Sequence, residues 1–391
     1  LSFYSGADIP TKIISAFTTG SVPDVAYADI DDFVIAPQQA WAGKLADVSD
    51  VVKPLEDKYT KTALLSAYLY NNVEKKRSYY AVPLKQQALH DFWRRSLVEK
   101  AGYTEQDIPK EWDAYWEFWR SVQDKLRDEG MRVYALGFPM STVDTDNYYT
   151  TMQYILAFGG HLVNPDGTLN LTDQTRDAAI KAIDFLTTQY KDGYVPPSAI
   201  NWGDPDNNAA FFSKQIVMTS NASLSIPVTK YEDQNLYYHD IVTRSQPLTP
   251  DGKQMTSLVA VKVAMVPAAA QHVDLAKDFL EFFAEPKNLN EYLKAARGRW
   301  LPVMPELIKD DPFWTDPKDP HIPVAVKQEV EGPTVPWPMA YNPAYAQVNA
   351  EEIWGKAEGD VILNGKTPEE AVDAAFQRIK EIFSQYEIAG K

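Results

Sequence analysis

A chain of 391 residues exceeds what one hydrophobic core usually organises, so two domains are expected. Its formal charge of −16 leaves no surplus of Lys and Arg to neutralise phosphates, which argues against a nucleic-acid partner, and the absence of cysteine removes disulfides, thiolate metal sites and cysteine nucleophiles. No run approaches the roughly 18 apolar residues that a membrane helix needs.

Ser2 to Tyr4 read as a short strand, with no basic segment ahead of an apolar one to mark a signal peptide. Pro10 opens a helix with Ile13, Ile14 and Phe17 on one face, and Gly20 ends it. The run from Pro23 to Asp29 alternates as a second strand. These pieces form a β-α-β unit, which implies a parallel sheet. Trp112 starts a helix that carries Trp112, Tyr115, Trp116 and Trp119 at helical spacing. Another places Ala178, Ala179, Ala182, Ile183 and Leu186 inward and stops at Gly193. A further amphipathic helix ends before Pro286. The last helix has the clearest start: Thr367 caps, Pro368 fits the first turn, and Glu370 completes a capping box before Ala371, Val372, Ala375, Phe376 and Ile379.

Three extended passages separate these helices: Tyr79 to Trp93 across Pro83, Tyr237 to Leu248, and Gly298 to Leu307, where Gly298, Pro302 and Pro305 stop a regular helix. Three crossings imply two discontinuous lobes. The proline-rich stretch from Asp311 to Pro338 should be irregular.

Enzyme motifs do not complete themselves. Asn364-Gly365-Lys366-Thr367 imitates the end of a P-loop, but the first glycine would fall at Asp360. His90, His161, His239, His272 and His321 are isolated in sequence and read as surface or core residues, so no metal, cofactor or catalytic residue is assigned. Glycoside hydrolysis needs only two carboxylates close in space, and the chain has 54 acids; a secreted glycoside hydrolase or other carbohydrate-active enzyme is therefore the alternative reading.

Several short segments recur in a fixed order: Lys12 in the first helix, Gly20-x-x-Pro23-Asp24, Gly43 with Leu45, Val82-Pro83, Ala101-Gly102 and Trp112. Gly159-Gly160, the Asp166-Gly167 turn, and Phe211 with Lys214 and Met218 follow. Each is weak alone, but in this order they resemble the extracellular solute-binding proteins of bacterial ABC importers, the family that includes maltose-binding protein. The resemblance implies an α/β, two-lobed periplasmic-binding-protein type II fold with discontinuous lobes and a three-segment hinge. Lobe 1 would take residues 1–86 and 240–297, and lobe 2 residues 87–239 and 298–391. It also implies a monomer, periplasmic or extracellular with or without a lipid anchor, that carries a sugar or polyol to membrane permease subunits.

Two departures accompany it. Relatives begin with a strand and helix ahead of the segment at Leu1, which implies a longer natural chain, and Arg94 and Arg95 stand where relatives have a different loop. Leu224 occupies the place of a Trp in maltose binders, against a long maltodextrin platform.

Sugars present apolar C–H faces and hydroxyl rims, so a site needs rings to stack on and planar polar groups around them. By resemblance, Asp29 and Asp31 stand at the cleft mouth, or else serve a loop or helix cap. Tyr4 lies on the same rim or in the core. Gln86 and Gln87 sit on the first crossing, where an amide can both donate and accept. Tyr148 and Tyr149 form the aromatic pair of the second lobe. Trp202 stacks and Asp204 bonds, unless that loop serves only the helix capped by Asp206 or Asn207. Asn221 ends a strand facing ligand. Arg299 clamps a polar group or pairs structurally, beside Trp300, and Trp337 with Tyr341 closes over the ligand.

Overall fold

Two β-sheets form the frame of a computed structural model that describes residues 1–5, 8–142, 145–386 and 388. In chain order the strands are β1 (Ala26–Tyr27), β2 (Tyr68–Asn71), β3 (Lys76–Tyr79), β4 (Val82–Gln87) and β5 (His90–Arg94). They continue with β6 (Tyr134–Leu136), β7 (Ile216–Asn221), β8 (Ile241–Arg244), β9 (Ser257–Met265) and β10 (Thr334–Pro336).

The hub of the first sheet is β9, to which β1 and β4 pair antiparallel and β10 parallel. Its sequence, Ser-Leu-Val-Ala-Val-Lys-Val-Ala-Met, is buried at every position, as expected of a strand covered on both faces. The ladder of β4 shifts between Pro83 and Lys85, because proline has no N–H to donate there. The second sheet runs β6-β7-β5-β8, with β6 parallel to β7 and β5 antiparallel to both of its neighbours. A separate hairpin joins β2 to β3.

Helices cover both sheets. In the Trp112–Asp128 helix, Trp112, Trp116 and Trp119 are buried; the first two meet Tyr154, Phe185 and Phe138 edge-on or tilted and Trp119 meets Trp93, so the aromatic stripe is core. The Asp173–Lys191 helix buries its alanine face, and Gly193 follows it with φ 79°. Before the Pro368–Phe383 helix, Thr367 Oγ1 accepts from Glu370 N at 3.2 Å while Glu370 Oε2 accepts from Thr367 N at 2.9 Å. The capping box is formed as the sequence indicates.

Several expectations are corrected. Ser2 to Tyr4 form no strand: among the described residues no strand pairs with them, and Leu1, Phe3 and Tyr4 are exposed. With that strand gone there is no β-α-β unit at the start, and β1 joins its sheet antiparallel. Ile14 faces solvent beside the buried Ile13 and Phe17. The run Ile241–Arg244 pairs with β5 and lies in the second sheet, and β10 lies in the first sheet beside β9. The proline-rich stretch holds a helix, Ile322–Glu329, which starts with Pro323 in its first turn, where a missing N–H costs nothing.

Candidate functional site

Where the two lobes meet, a cavity of about 130 Å³ is lined by polar groups from both. A wider groove of about 930 Å³ lies elsewhere, along the Ile9–Thr19 helix and Val273–Ala284 helix, but side chains such as Ile9, Ile13, Leu275 and Phe279 dominate it. Volume favours the groove and chemistry favours the cleft; convergent polar groups from two lobes are the stronger sign of a ligand site.

The first-lobe wall is built on β4, β9 and the turn after β1. Lys85 of β4 is 1% exposed, with its ammonium 3.0 Å from Asp29 and 3.1 Å from the centre of the Trp300 ring. Burial pushes Lys85 down to about 8, against the pull of Asp29. Burial opposes ionisation of Asp29 too, but Lys85 and the Tyr27 hydroxyl that donates to it hold its carboxyl below the ordinary value. Lys262 of β9 sits 3.1 Å from Asp32, whose pKa burial raises to about 6 despite that cation. A lysine in the middle of an apolar strand survives there because a carboxylate meets it.

The second-lobe wall is built on the Thr145–Ala157 helix and the end of β7. Asp146 Oδ2 accepts from Asn207 Nδ2 at 2.9 Å and from Asn221 Nδ2 at 3.3 Å. Asn221 also donates to Asn208 Oδ1, and its own carbonyl accepts from Ser223 N and Ser225 Oγ. The walls touch where Gln87 Nε2 donates to the Tyr149 hydroxyl at 2.9 Å and Lys262 Nζ reaches the same oxygen at 3.5 Å. Beneath this contact Phe33 packs edge-on against Tyr148, Tyr149 and Trp337, with centroids 5.7, 5.1 and 4.8 Å away. The polar cleft therefore has an aromatic floor.

Of the residues expected from sequence, Asp29, Gln87, Tyr149, Asp204, Asn221, Arg299 and Trp300 line this cavity. Asp31 is next to it but buried, accepting from Ala28 N at 2.7 Å, and burial raises its pKa well above the usual carboxylate range. Gln86 is buried, and its backbone exchanges two hydrogen bonds of 3.0 Å with Leu301. Tyr148 and Trp337 belong to the floor, where packing against Phe33 rather than a free face occupies their rings.

Three expected residues lie away from it. Tyr4 borders the wide groove, because the strand that would have carried it to the rim does not form. Trp202 is buried, with Nε1 donating to Ser198 Oγ at 3.2 Å and its carbonyl accepting from Ser141 Oγ. Tyr341 is half-buried outside the cavity and presents its carbonyl to Arg77.

Sequence reasoning missed Phe33, Lys85, Asp146, Asn208, Ser223, Ser225 and Lys262. The signals were present for the lysines, since each interrupts an apolar strand, Val-Pro-Leu-Lys in one case and Val-Ala-Val-Lys-Val in the other.

The family model for bacterial extracellular solute-binding proteins matches residues 2–323. The arabinooligosaccharide-binding protein of Bacillus subtilis (strain 168) is 24% identical over 314 residues, covering 78% of this chain and 66% of that protein. The match thus spans just under two thirds of that relative's length. The galactooligosaccharide-binding protein of the same strain is 21% identical over 379 residues, covering 92% of this chain and 77% of that protein. An ABC transporter solute binding protein from Thermotoga lettingae TMO, bound with alpha-D-tagatose, has a TM-score of 0.77 at 20% identity, covering 96% of this chain and 89% of that chain. The likeness gives the fold: a two-lobed α/β architecture of the periplasmic-binding-protein type II class.

Proposed function

Because the chain belongs to the bacterial extracellular solute-binding protein family, we propose that it is the substrate-binding component of an ABC importer, capturing a carbohydrate in the interlobe cleft and delivering it to membrane permease subunits. The observation that carries this reading is the lining of the cleft. Amides and carboxylates from both lobes (Gln87, Asn221, Asn208, Asp29, Asp204) line it together with the half-buried Trp300 ring, against which the Lys85 ammonium and the Arg299 guanidinium already lie at 3.1 and 4.6 Å, and they match the hydroxyl edges of a sugar. Relatives named for arabinooligosaccharides and galactooligosaccharides support the same ligand class.

In this reading the lobes follow the two sheets. The first takes residues 1–87 with β9 and β10, and the second takes β5 through β8 with the C-terminal helices. Closure is driven by ligand contacts made to both lobes at once, and only the closed form engages the permease productively. The protein acts as a secreted monomer outside the cytoplasmic membrane, and the ligand leaves chemically unaltered.

A thermal-shift panel tests it. Arabino- and galactooligosaccharides, monosaccharides, polyols and sugar acids are compared with amino acids. A ligand bound to the native state alone adds RT ln(1 + [L]/Kd), about 2.7 kcal/mol at a hundredfold excess over Kd. At least one carbohydrate should raise Tm, and prolonged incubation should release no new reducing ends. A shift with amino acids alone, or hydrolysis of the sugar, would overturn the reading.

A further inference from the structure

Behind the second-lobe wall a carboxyl is buried completely. Glu358 lies on the Ile353–Leu363 helix, which packs against the Thr145–Ala157 helix that presents Asp146 and Tyr149 to the cleft. The two faces of that presenting helix are distinct. Asp146 and Tyr149 point to the cavity, while Asn147 and Thr151, one turn apart, point to Glu358. Asn147 Nδ2 donates to Glu358 Oε2 at 2.6 Å and to the Pro139 carbonyl at 3.1 Å, and all three polar side chains are at most 1% exposed. The helices can come this close partly because Gly355 has no Cβ; one would stand 2.9 Å from the Ser141 carbonyl oxygen.

The proton count favours the neutral acid. Thr151 Oγ1 is 2.6 Å from Glu358 Oε1 and 3.0 Å from the carbonyl oxygen of Asn147. A hydroxyl has one proton and a carbonyl can only accept. Both contacts are hydrogen bonds when Thr151 donates to the carbonyl and Glu358, as the neutral acid, donates to Thr151. Ionised, Glu358 would take the Thr151 proton, leave the carbonyl contact bare and bury a charge among neutral groups.

Among the described residues no cation meets this carboxyl. On its own helix Lys356 is exposed and Asp360 is paired with Lys366. Asp146 on the facing helix turns to Asn207 and Asn221. Arg176 of the Asp173–Lys191 helix pairs with Asp373, and Arg378 of the Pro368–Phe383 helix pairs with Glu351. From the Ala344–Ala350 helix, Tyr345 bonds to Met152 and Trp354. Glu352, just before the Glu358 helix, is half-buried near Tyr148, and burial raises its pKa to about 7 as well.

We propose that Glu358 is a positioning residue for the cleft: its neutral carboxyl holds the presenting helix in its ligand-facing place, and its ionisation releases that hold. The consequence is a pH-dependent affinity set from behind the site. Burial raises the pKa of Glu358 to about 7, opposed by the bonds from Thr151 and Asn147, which puts the change near neutrality. The proposal rests on the cleft being the ligand site.

Hydrogen exchange of the Thr145–Ala157 amides in the ligand-free chain, corrected for intrinsic rates, tests it without knowledge of the ligand. Between pH 6 and pH 8 protection in the wild type should fall about tenfold, as expected for a group titrating near the middle of that range. Glu358→Gln and Thr151→Val should each remove the step, whereas Glu352→Gln should keep it. An equal step in wild type and E358Q overturns the proposal, and T151V supplies the same comparison if E358Q does not fold. Calorimetry with arabinotriose adds the binding readout: about tenfold weaker affinity at pH 8 than at pH 6 in the wild type, and a clearly smaller change in E358Q, where only cleft groups such as Asp32 and Lys85 still titrate. Equal pH dependence in both again overturns it. If arabinotriose binds at neither pH, the carbohydrate reading loses support while the exchange result still decides the role of Glu358.

Discussion

On the first-lobe wall of the cleft acids meet lysines, the exposed Asp29 with the buried Lys85 and the buried Asp32 with Lys262; on and behind the second-lobe wall Asp146 and Glu358 meet amides and a hydroxyl. The two solutions to burying a carboxyl fail in different ways. An ion pair keeps both charges at neutral pH but strands one when the other is removed. An acid held by neutral groups tolerates the loss of a partner better, yet Glu358, with no cation against it among the described residues, depends on keeping its proton. The first wall is therefore the more sensitive to loss of a partner, and Glu358 behind the second is sensitive chiefly to pH.

The largest effect should come from breaking the ion-paired wall. Lys262→Met leaves Asp32 buried without its cation and should cost about 3–5 kcal/mol of stability in urea unfolding at pH 7. Adding Asp32→Asn to K262M should recover a substantial part of that loss. A cost below about 1 kcal/mol would show that the pair is no more than a surface-like contact.

The pH response sharpens the contrast. The folded pKa of Glu358, about 7, stands above its ordinary 4.5, so the proton is held more tightly in the folded state. The stabilisation from this group is complete below about pH 4.5 and is lost as pH rises through 7, a change of roughly 3 kcal/mol over 2.5 pH units. Unfolding free energies measured from pH 5 to pH 8 should decline more steeply in the wild type than in E358Q. Parallel profiles would contradict this.

A smaller effect is expected at Asp146. Asp146→Ala removes the acceptor of the Asn207 and Asn221 amides and should cost about 1–3 kcal/mol, with carbohydrate affinity falling further than stability alone explains. Away from both walls, Thr367→Ala removes one half of a capping box and should cost about 1 kcal/mol in unfolding while leaving affinity unchanged. An affinity loss in T367A would mean that the cleft responds to general destabilisation, and the contrast between walls would lose its meaning.

What could be read from sequence divides along a physical line. Helices were legible because their buried faces repeat every three or four residues, as in Trp112 to Trp119 and Ala178 to Leu186, and because the Thr367-x-x-Glu370 cap is local. The crossing at Pro83 was legible as a break in the backbone pattern. The β2–β3 hairpin was not, because its turn carries Lys75 at φ 55° instead of a glycine that would have announced it. Lone lysines in β4 and β9 hid the ion-paired wall, since their partners Asp29 and Asp32 lie far away in the chain. Aromatic residues misled most. Ring chemistry alone could not tell Trp300, which lines the cavity, from Trp337, which Phe33 covers, or from Trp202, which is tied to Ser198. Tertiary packing decides that question, and Glu358 behind the cleft had no sequence signal at all.

The central claim is that the two walls together grip an intact sugar. Calorimetric titration of the protein with arabino- and galactooligosaccharides, followed by analysis of the recovered sugar, addresses it directly. The account expects saturable binding of one molecule per chain, with affinity reduced at least tenfold in Trp300→Ala and the sugar recovered whole. Absence of binding by any carbohydrate, or recovery of cleaved product, would contradict it.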